Sequence, residues 1–376
     1  MAGFALTEDQ LALVRDVQGI VTSVLAPLAA RSAPGHVDRA LVTAMGEHGL
    51  LARVLGTAER TASAMDLCLA RETLARVSTE AETALALQGL GSYPFLRFGG
   101  DDVVQRWRPA VLSGAAIAAF ALSEPGAGSD AAALNLLAEP DGDGWRLVGE
   151  KTWISNAPEA DVYSVFARTT PDTRAKGITA FVVAGDAAGL SGEHLDMLAP
   201  HPIGRLSFDG VRVTAADVLG DVDGGFTVAM RTLDLFRPSV GAFAVGMAQA
   251  ALDATVAHTR RRQAFGNPLS EQQVVSHMLA DMATRIEASR LLVYAAASAY
   301  DAGADPAEVT RRSAMAKLFA TESAQFVIDA AVQLHGAQAL LRGHLLEHLY
   351  REVRAPRIYE GASEVQRTII GRSLTR

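Results

Sequence analysis

From Thr7 onward, apolar residues recur at helical spacing: Leu11, Val14, Val17, Val21 and Val24 follow one another at steps of three and four. Thr7 and Gln10 stand three apart, the arrangement of a capping box. Alanine-rich helical text resumes from Met65 to Leu87. From about residue 119 the texture changes. Trp145-Arg146-Leu147-Val148, Val162 to Phe166 and Ile178 to Val183 are short runs rich in β-branched and aromatic residues. Turn text such as Asp141-Gly142-Asp143-Gly144 and Thr170-Pro171-Asp172 separates them. From Gly225 the period returns to 3.6, with Phe226, Met230, Leu233, Phe236, Val240, Phe243 and Met247 on one stripe. Pro238 falls inside this stretch and is expected to remove a backbone hydrogen bond and kink the helix. A long helix is expected from about 271 to 301. Asp305-Pro306-Ala307-Glu308 then starts another, with a cap, an N1 proline and an N3 acid. The pattern predicts an α+β fold, mainly α: a helical domain over 1–118, a β domain over 119–222 and a helical domain over 223–376.

Composition narrows the function classes. A chain of 376 residues exceeds one small core, and 49% apolar against 20% charged residues describes a folded protein. With a net charge of −8, and Arg260-Arg261-Arg262 as its densest basic run, the chain offers no broad basic face for nucleic acid. Cys68 is the only cysteine, so an intramolecular disulfide and a thiolate metal cluster are excluded. Its apolar surroundings predict an inert buried thiol. The N-terminus has no basic stretch leading into an apolar core, and no run approaches the ~20 apolar residues of a membrane span. A soluble, cytoplasmic protein without membrane insertion is expected.

The segment Ala121-Leu122-Ser123-Glu124-Pro125-Gly126-Ala127-Gly128-Ser129-Asp130 joins an apolar run to the β zone through glycines and small hydroxyls. Such a turn lets backbone N–H groups approach a planar or anionic ligand, though an ordinary glycine-rich loop has the same text. It is not a dinucleotide-binding glycine pattern, because the spacing differs and no βαβ unit surrounds it. Downstream, Gly149-Glu150-Lys151-Thr152-Trp153-Ile154-Ser155-Asn156 puts an indole and a hydroxyl on one side of a strand-like run, where they could cover an aromatic cofactor or simply pack in a β core.

With Arg262-Gln263-Ala264-Phe265-Gly266, Gln333-Leu334-His335-Gly336 and Tyr350-Arg351-Glu352 leading to Ile358-Tyr359-Glu360-Gly361-Ala362-Ser363-Glu364, these segments resemble the acyl-CoA dehydrogenase family in order and spacing, from about residue 60 to the C-terminus. The resemblance implies a β-barrel-like middle domain, a C-terminal four-helix bundle and FAD as cofactor. It implies that Phe120, Leu122, Ser123, Gly128 and Ser129 line the flavin, with Ser129 also near substrate. Trp153, Ile154 and Ser155 would stack on and hydrogen-bond the isoalloxazine. Arg262, Phe265, Gln273, Gln333, Gly336 and Ala337 would reach the FAD of a neighbouring subunit in a homotetramer, and Ala362 and Glu364 would adjoin FAD. Asp234, Arg237, Tyr359 and Gly361 would meet substrate or its CoA portion. Glu360 would be the base that removes the α-proton of an acyl thioester, with electrons passing to an electron-transferring flavoprotein. On residues alone, Glu360 also reads as a solvated acid before a last helix capped by Ser363 and Gln366. The alternative base position of the family is Phe236 here, which cannot accept a proton. An acyl-CoA oxidase, a carrier-protein-linked dehydrogenase, a desulfinase-like enzyme or a low-turnover flavin-binding scaffold stays open on the same fold.

Three departures stand out against that pattern. Gly336-Ala337-Gln338-Ala339 replaces a Gly-Gly and aromatic-glycine turn, Ala362 stands for a threonine, and Gly49 to Gly56 lacks a Gly-Gly-x-Gly loop. His344 and His348, at i and i+4, could clamp a metal, but no third ligand accompanies them, and no metal is expected.

Overall fold

The computed structural model describes residues 5–375, so the reading of the first four residues and the outermost domain limits lie outside it. Helix accounts for 59% of the chain, alongside one large mixed sheet. The capping box at Thr7 and Gln10 forms, as does the Asp305 cap with Pro306 at the first turn. The chain divides into two compact units, one of residues up to 22, 63–82 and 234 onward, the other of residues 23–62 and 83–233.

The first unit is helical. Its long members are the later part of Gly225–Arg261, then Gln273–Asp301 and Pro306–His335, with Ser363–Leu374 packed on the last of these. They approach closely because the contact faces carry small residues. A Cβ on Gly241 would lie 2.7 Å from Val293 Cγ2, and one on Gly246 would lie 2.4 Å from the Glu72 carbonyl of helix Ala64–Ala75. Ala314, Ala316, Ala320, Ala324 and Ala331 are buried along Pro306–His335. Helix Gly225–Arg261 runs unbroken through Pro238. Proline lacks the N–H that would bond the carbonyl four residues back, at Asp234. The Ser313 hydroxyl donates to that carbonyl instead, at 3.1 Å.

The second unit holds the sheet. Its strands are β1 (Ala118–Ala121), β2 (Leu137–Asp141), β3 (Gly144–Ser155), β4 (Val162–Arg168), β5 (Ile178–Ala184), β6 (Leu190–His194), β7 (Ile203–Thr214) and β8 (Val218–Leu219). The order is β6-β7-β3-β2-β4-β5-β8, with β1 parallel to β4. Its core gathers Phe95, Val111, Phe166, Ile178 and Leu219. Helix Thr79–Phe98 lies against β1 at Gly91, where a Cβ would come within 2.4 Å of the Ala119 nitrogen. The buried Gln88 carboxamide donates to the Val111 and Ala116 carbonyls and accepts from the Ala118 N–H, tying β1 to that helix. β1 carries three alanines and one phenylalanine, so it has little strand propensity of its own and its pairing comes from these contacts.

Two helices, Glu8–Ala29 and Gly225–Arg261, are long and apolar enough to cross a membrane, each with a mean hydropathy of 1.4. Polar residues interrupt both, so neither stands out in the sequence as a continuous apolar run. In Gly225–Arg261, 72% of that window is buried, as in a core helix.

Candidate active site

Glu360 lies in the short link before helix Ser363–Leu374, and both it and Gly361 have left-handed backbones, φ 51° and 92°. Two successive left-handed residues turn their carbonyls toward a set of donors. Gln366 Nε2 donates to the Glu360 carbonyl at 3.2 Å and to the Gly361 carbonyl at 2.9 Å. Lys317 Nζ donates to the Gly361 carbonyl at 2.7 Å, and Arg237 Nε to the Glu360 carbonyl at 3.3 Å. Glycine at 361 is required twice over, by its φ and because a Cβ there would lie 2.5 Å from Gln366 Nε2. The expected capping box does not form. Ala362 is the N-cap, and Ser363, one position inside the helix, donates to Glu322 Oε1 at 2.6 Å. Gln366 serves the two carbonyls rather than the cap amide.

The Glu360 carboxylate is enclosed even though its residue is half-buried: Oε2 is shielded from solvent and has no hydrogen-bond partner among the described residues. Burial raises its pKa, and Arg71, Lys317 and Arg237 pull it back without cancelling the rise. Lys317 itself is pushed down to about 8 by burial, with Glu360 opposing the shift. Arg71 is buried and bonded to the Glu82 carboxylate and to Ser239 Oγ. Arg237 pairs with Asp234 at 3.4 Å, while Thr310 donates to Asp234 Oδ2 at 2.7 Å. Burial raises the Asp234 pKa, against Thr310 and Arg237. Phe236 is fully buried. Arg71, Glu82 and Lys317 escaped the sequence reading. The available signal was a charge inside an apolar stripe: Arg71 lies between Leu67 and Leu74, and Lys317 between Ala314 and Ala320.

In the second unit, the glycine turn is anchored to β3. Glu124 is buried and accepts from the Asn135 and Leu136 N–H groups at 2.5 and 2.9 Å and from Lys151 Nζ at 2.8 Å. Lys151 also donates to the Leu122 carbonyl, and the Thr152 N–H to the Ser123 carbonyl at 3.0 Å. Burial lowers the Lys151 pKa to about 8, outweighing Glu124. The turn then opens to solvent at Gly126, Gly128 and Ser129, and a Cβ on either glycine would meet nothing within 4 Å. Phe120 is half-buried with its ring 4.9 Å from that of Phe166, and Leu122 is buried. The β3–β7 register shifts between Lys151 and Ile154. In that bulge Trp153 takes φ 59° and its side chain is 54% exposed, so it does not pack in the β core. Ile154 is buried and Ser155 half-buried.

The remaining positions lie at the first unit's surface. Arg262 is exposed where helix Gly225–Arg261 ends, and Phe265, at the tip of the hairpin Gln263–Ala264 with Asn267–Pro268, is 93% exposed. Gln273, Gln333, Gly336, Ala337 and Glu364 are exposed and Ala362 is half-buried. Val274, Leu340 and Leu341 add exposed apolar surface in the same segments. His344 and His348 separate: His344 Nδ1 accepts from the Leu346 N–H as a helix cap, and His348 Nε2 bonds Thr79 Oγ1 at 2.6 Å.

The chain runs helix–sheet–helix with an enclosed carboxylate and a displayed indole, and comparison with known proteins names its class. The chain matches the acyl-CoA dehydrogenase N-terminal domain over residues 7–115, the middle domain over 119–211 and the C-terminal domain over 223–375. It belongs to the acyl-CoA dehydrogenase family of oxidoreductases. It is 34% identical to cyclohexane-1-carbonyl-CoA dehydrogenase of Geobacter metallireducens, over 99% of this chain and 98% of that one. Among solved structures, a chain described as the electron transferring flavoprotein of Acidaminococcus fermentans superposes with TM-score 0.93 at 34% identity, with 100% of both chains covered. PigA with FAD and proline superposes with TM-score 0.94 at 26% identity, with 99% of both chains covered.

Proposed function

We propose that the protein is an FAD-dependent acyl-CoA dehydrogenase in which Glu360 removes the α-proton of an acyl thioester. The observation that carries this is the enclosed carboxylate: Oε2 is buried with no hydrogen-bond partner among the described residues, and burial raises its pKa toward the range of a working base. An α-hydrogen beside a thioester is a weak acid, so its removal needs a placed base and a stabilised enolate. Fixing the Glu360 and Gly361 carbonyls with Arg237, Lys317 and Gln366 orients the base from its own backbone. Arg71, Lys317 and Arg237 favour the ionised form against burial.

FAD suits the residues present. The indole of Trp153, displayed in a bulge at a strained φ, offers a face for a flat ring, and the open Gly126 and Gly128 leave room for a ligand beside the backbone. When bound, FAD supplies the acceptor for the hydride leaving the β-carbon. Phe120, Leu122, Ser123, Gly128, Ser129, Ile154 and Ser155 would hold it from this turn and strand. The exposed Phe265, Val274, Leu340 and Leu341 favour a homo-oligomer, with Arg262, Gln273, Gln333, Gly336 and Ala337 meeting a second subunit. An electron-transferring flavoprotein is the proposed acceptor, in keeping with the similarity to the Acidaminococcus chain. Bleaching of the flavin band by a panel of short, branched, cyclic, aromatic and long acyl-CoAs tests the reading. Bleaching lost in Glu360→Gln supports it, and a wild-type holoenzyme that no acyl-CoA bleaches overturns it.

A further inference from the structure

We propose that His36, Glu159 and His194 form a surface site for a divalent transition cation of the zinc type, separate from the dehydrogenase chemistry. The three residues come from three stretches of the second unit. His36 lies in the loop before helix Arg39–Glu47, Glu159 in the turn after β3, and His194 at the end of β6. His36 Nδ1 lies 2.6 Å and His194 Nε2 3.0 Å from the same Glu159 Oε1, and all the ligand atoms fall within 4.8 Å of one another. The two rings are tilted by 57° with centroids 4.6 Å apart, so their nitrogens converge on the carboxylate.

Two imidazoles and a carboxylate, with solvent completing the shell, make a donor set suited to zinc and its first-row neighbours rather than to magnesium or calcium. The support behind the ligands is in place. The Val37 N–H donates to Glu159 Oε2 at 3.1 Å, which leaves Oε1 facing the imidazoles. Arg39 Nη2 holds the Glu159 carbonyl at 2.9 Å, and its charge is matched by Asp161, bonded at 2.7 and 3.1 Å. Ligands about 2.0–2.1 Å from a tetrahedral ion stand roughly 3.3 Å apart. The 2.6 Å separation therefore needs to widen by about 0.7 Å and the 3.0 Å one by about 0.3 Å, within the freedom of side chains at this surface. In the hydrogen-bonded form Glu159 accepts from both rings; to bind a cation each neutral ring turns a lone pair to the ion, its N–H moving to the other ring nitrogen.

The site is tied to the strand that carries Trp153. His194, Gly204 and Ile154 form one row across β6, β7 and β3. A bound ion would clip the loop around His36 to that row.

The test titrates Zn²⁺ into chelator-treated, FAD-loaded, full-length protein by calorimetry, with Co²⁺ absorption reporting the ligand type. His36→Gln/His194→Gln and Glu159→Gln serve as variants, their folding checked by thermal melting. Wild type is expected to bind one equivalent of Zn²⁺ more than the double variant, with Co²⁺ bands of nitrogen–oxygen coordination, and Glu159→Gln to weaken that equivalent by about tenfold or more. Equal stoichiometry and affinity in wild type and double variant would overturn the proposal, as would Co²⁺ spectra unchanged by the substitutions.

Discussion

Lys317 Nζ donates at 2.7 Å to the carbonyl of Gly361, the residue directly after the proposed base. One buried ammonium thereby fixes the backbone that presents Glu360 and acts on the charge of its carboxylate. The same side chain is both a mechanical support and an electrostatic one, and the two roles separate experimentally.

Lys317→Met is expected to move the acid limb of the kcat/KM profile to higher pH. The Glu360 pKa already lies above the ordinary carboxylate value because of burial, and Lys317 is one of three cations lowering it. Removing that cation lets the pKa rise further, so a higher pH is needed to ionise the base. A limb that stays in place, or moves down, contradicts this account.

Glu360→Gln is expected to lower the rate of flavin reduction by about 10²–10⁴-fold, the span of a positioned general base. FAD content should be unchanged, because the glycine turn is held by Glu124, Lys151, Asn135 and Leu136 and not by Glu360. Stopped-flow absorbance with the best acyl-CoA of the panel makes the measurement.

Trp153→Gly should leave the melting temperature of the apoprotein unchanged or raise it, since glycine adopts φ 59° without strain. FAD retention should nevertheless fall about 2- to 10-fold, the worth of one aromatic stacking contact. Were the indole a packing residue, the melting temperature would drop instead.

Lys151→Met is expected to cost about 3–5 kcal/mol in denaturant unfolding, because it leaves the buried Glu124 without its cation. Lys151→Met/Glu124→Gln should recover part of this. The pH dependence has a definite sign. The folded pKa of Lys151, about 8, lies below its unfolded value of about 10.4, so between these pH values the unfolded chain holds more protons. Stability contributed by this group therefore rises with pH across that window, and the rise should vanish in Lys151→Met.

Much of this protein is written locally. The helical stripe through Phe226 and Met247, the Asp305-Pro306 helix start and the strands around Leu147, Phe166 and Phe181 follow from periodicity and turn chemistry, which act over a few residues. The glycine turn and the motif around Glu360 were legible as site segments only through their resemblance to the family; on residues alone each also read as an ordinary loop. Three features were decided only by the tertiary structure. Ser363 turned to Glu322 and Gln366 to two carbonyls, because the left-handed pair at 360 and 361 put acceptors where a cap amide was expected. Arg71 and Lys317 came to act on Glu360 from helices 289 (360 − 71) and 43 (360 − 317) residues away in sequence, which no local window weighs. His36, Glu159 and His194 met only when a loop, a turn and the end of β6 converged. Periodicity fixes which face of a segment is buried. What a buried or clustered charge can do depends on which other charges the fold brings within a few ångströms, and that depends on distance in space.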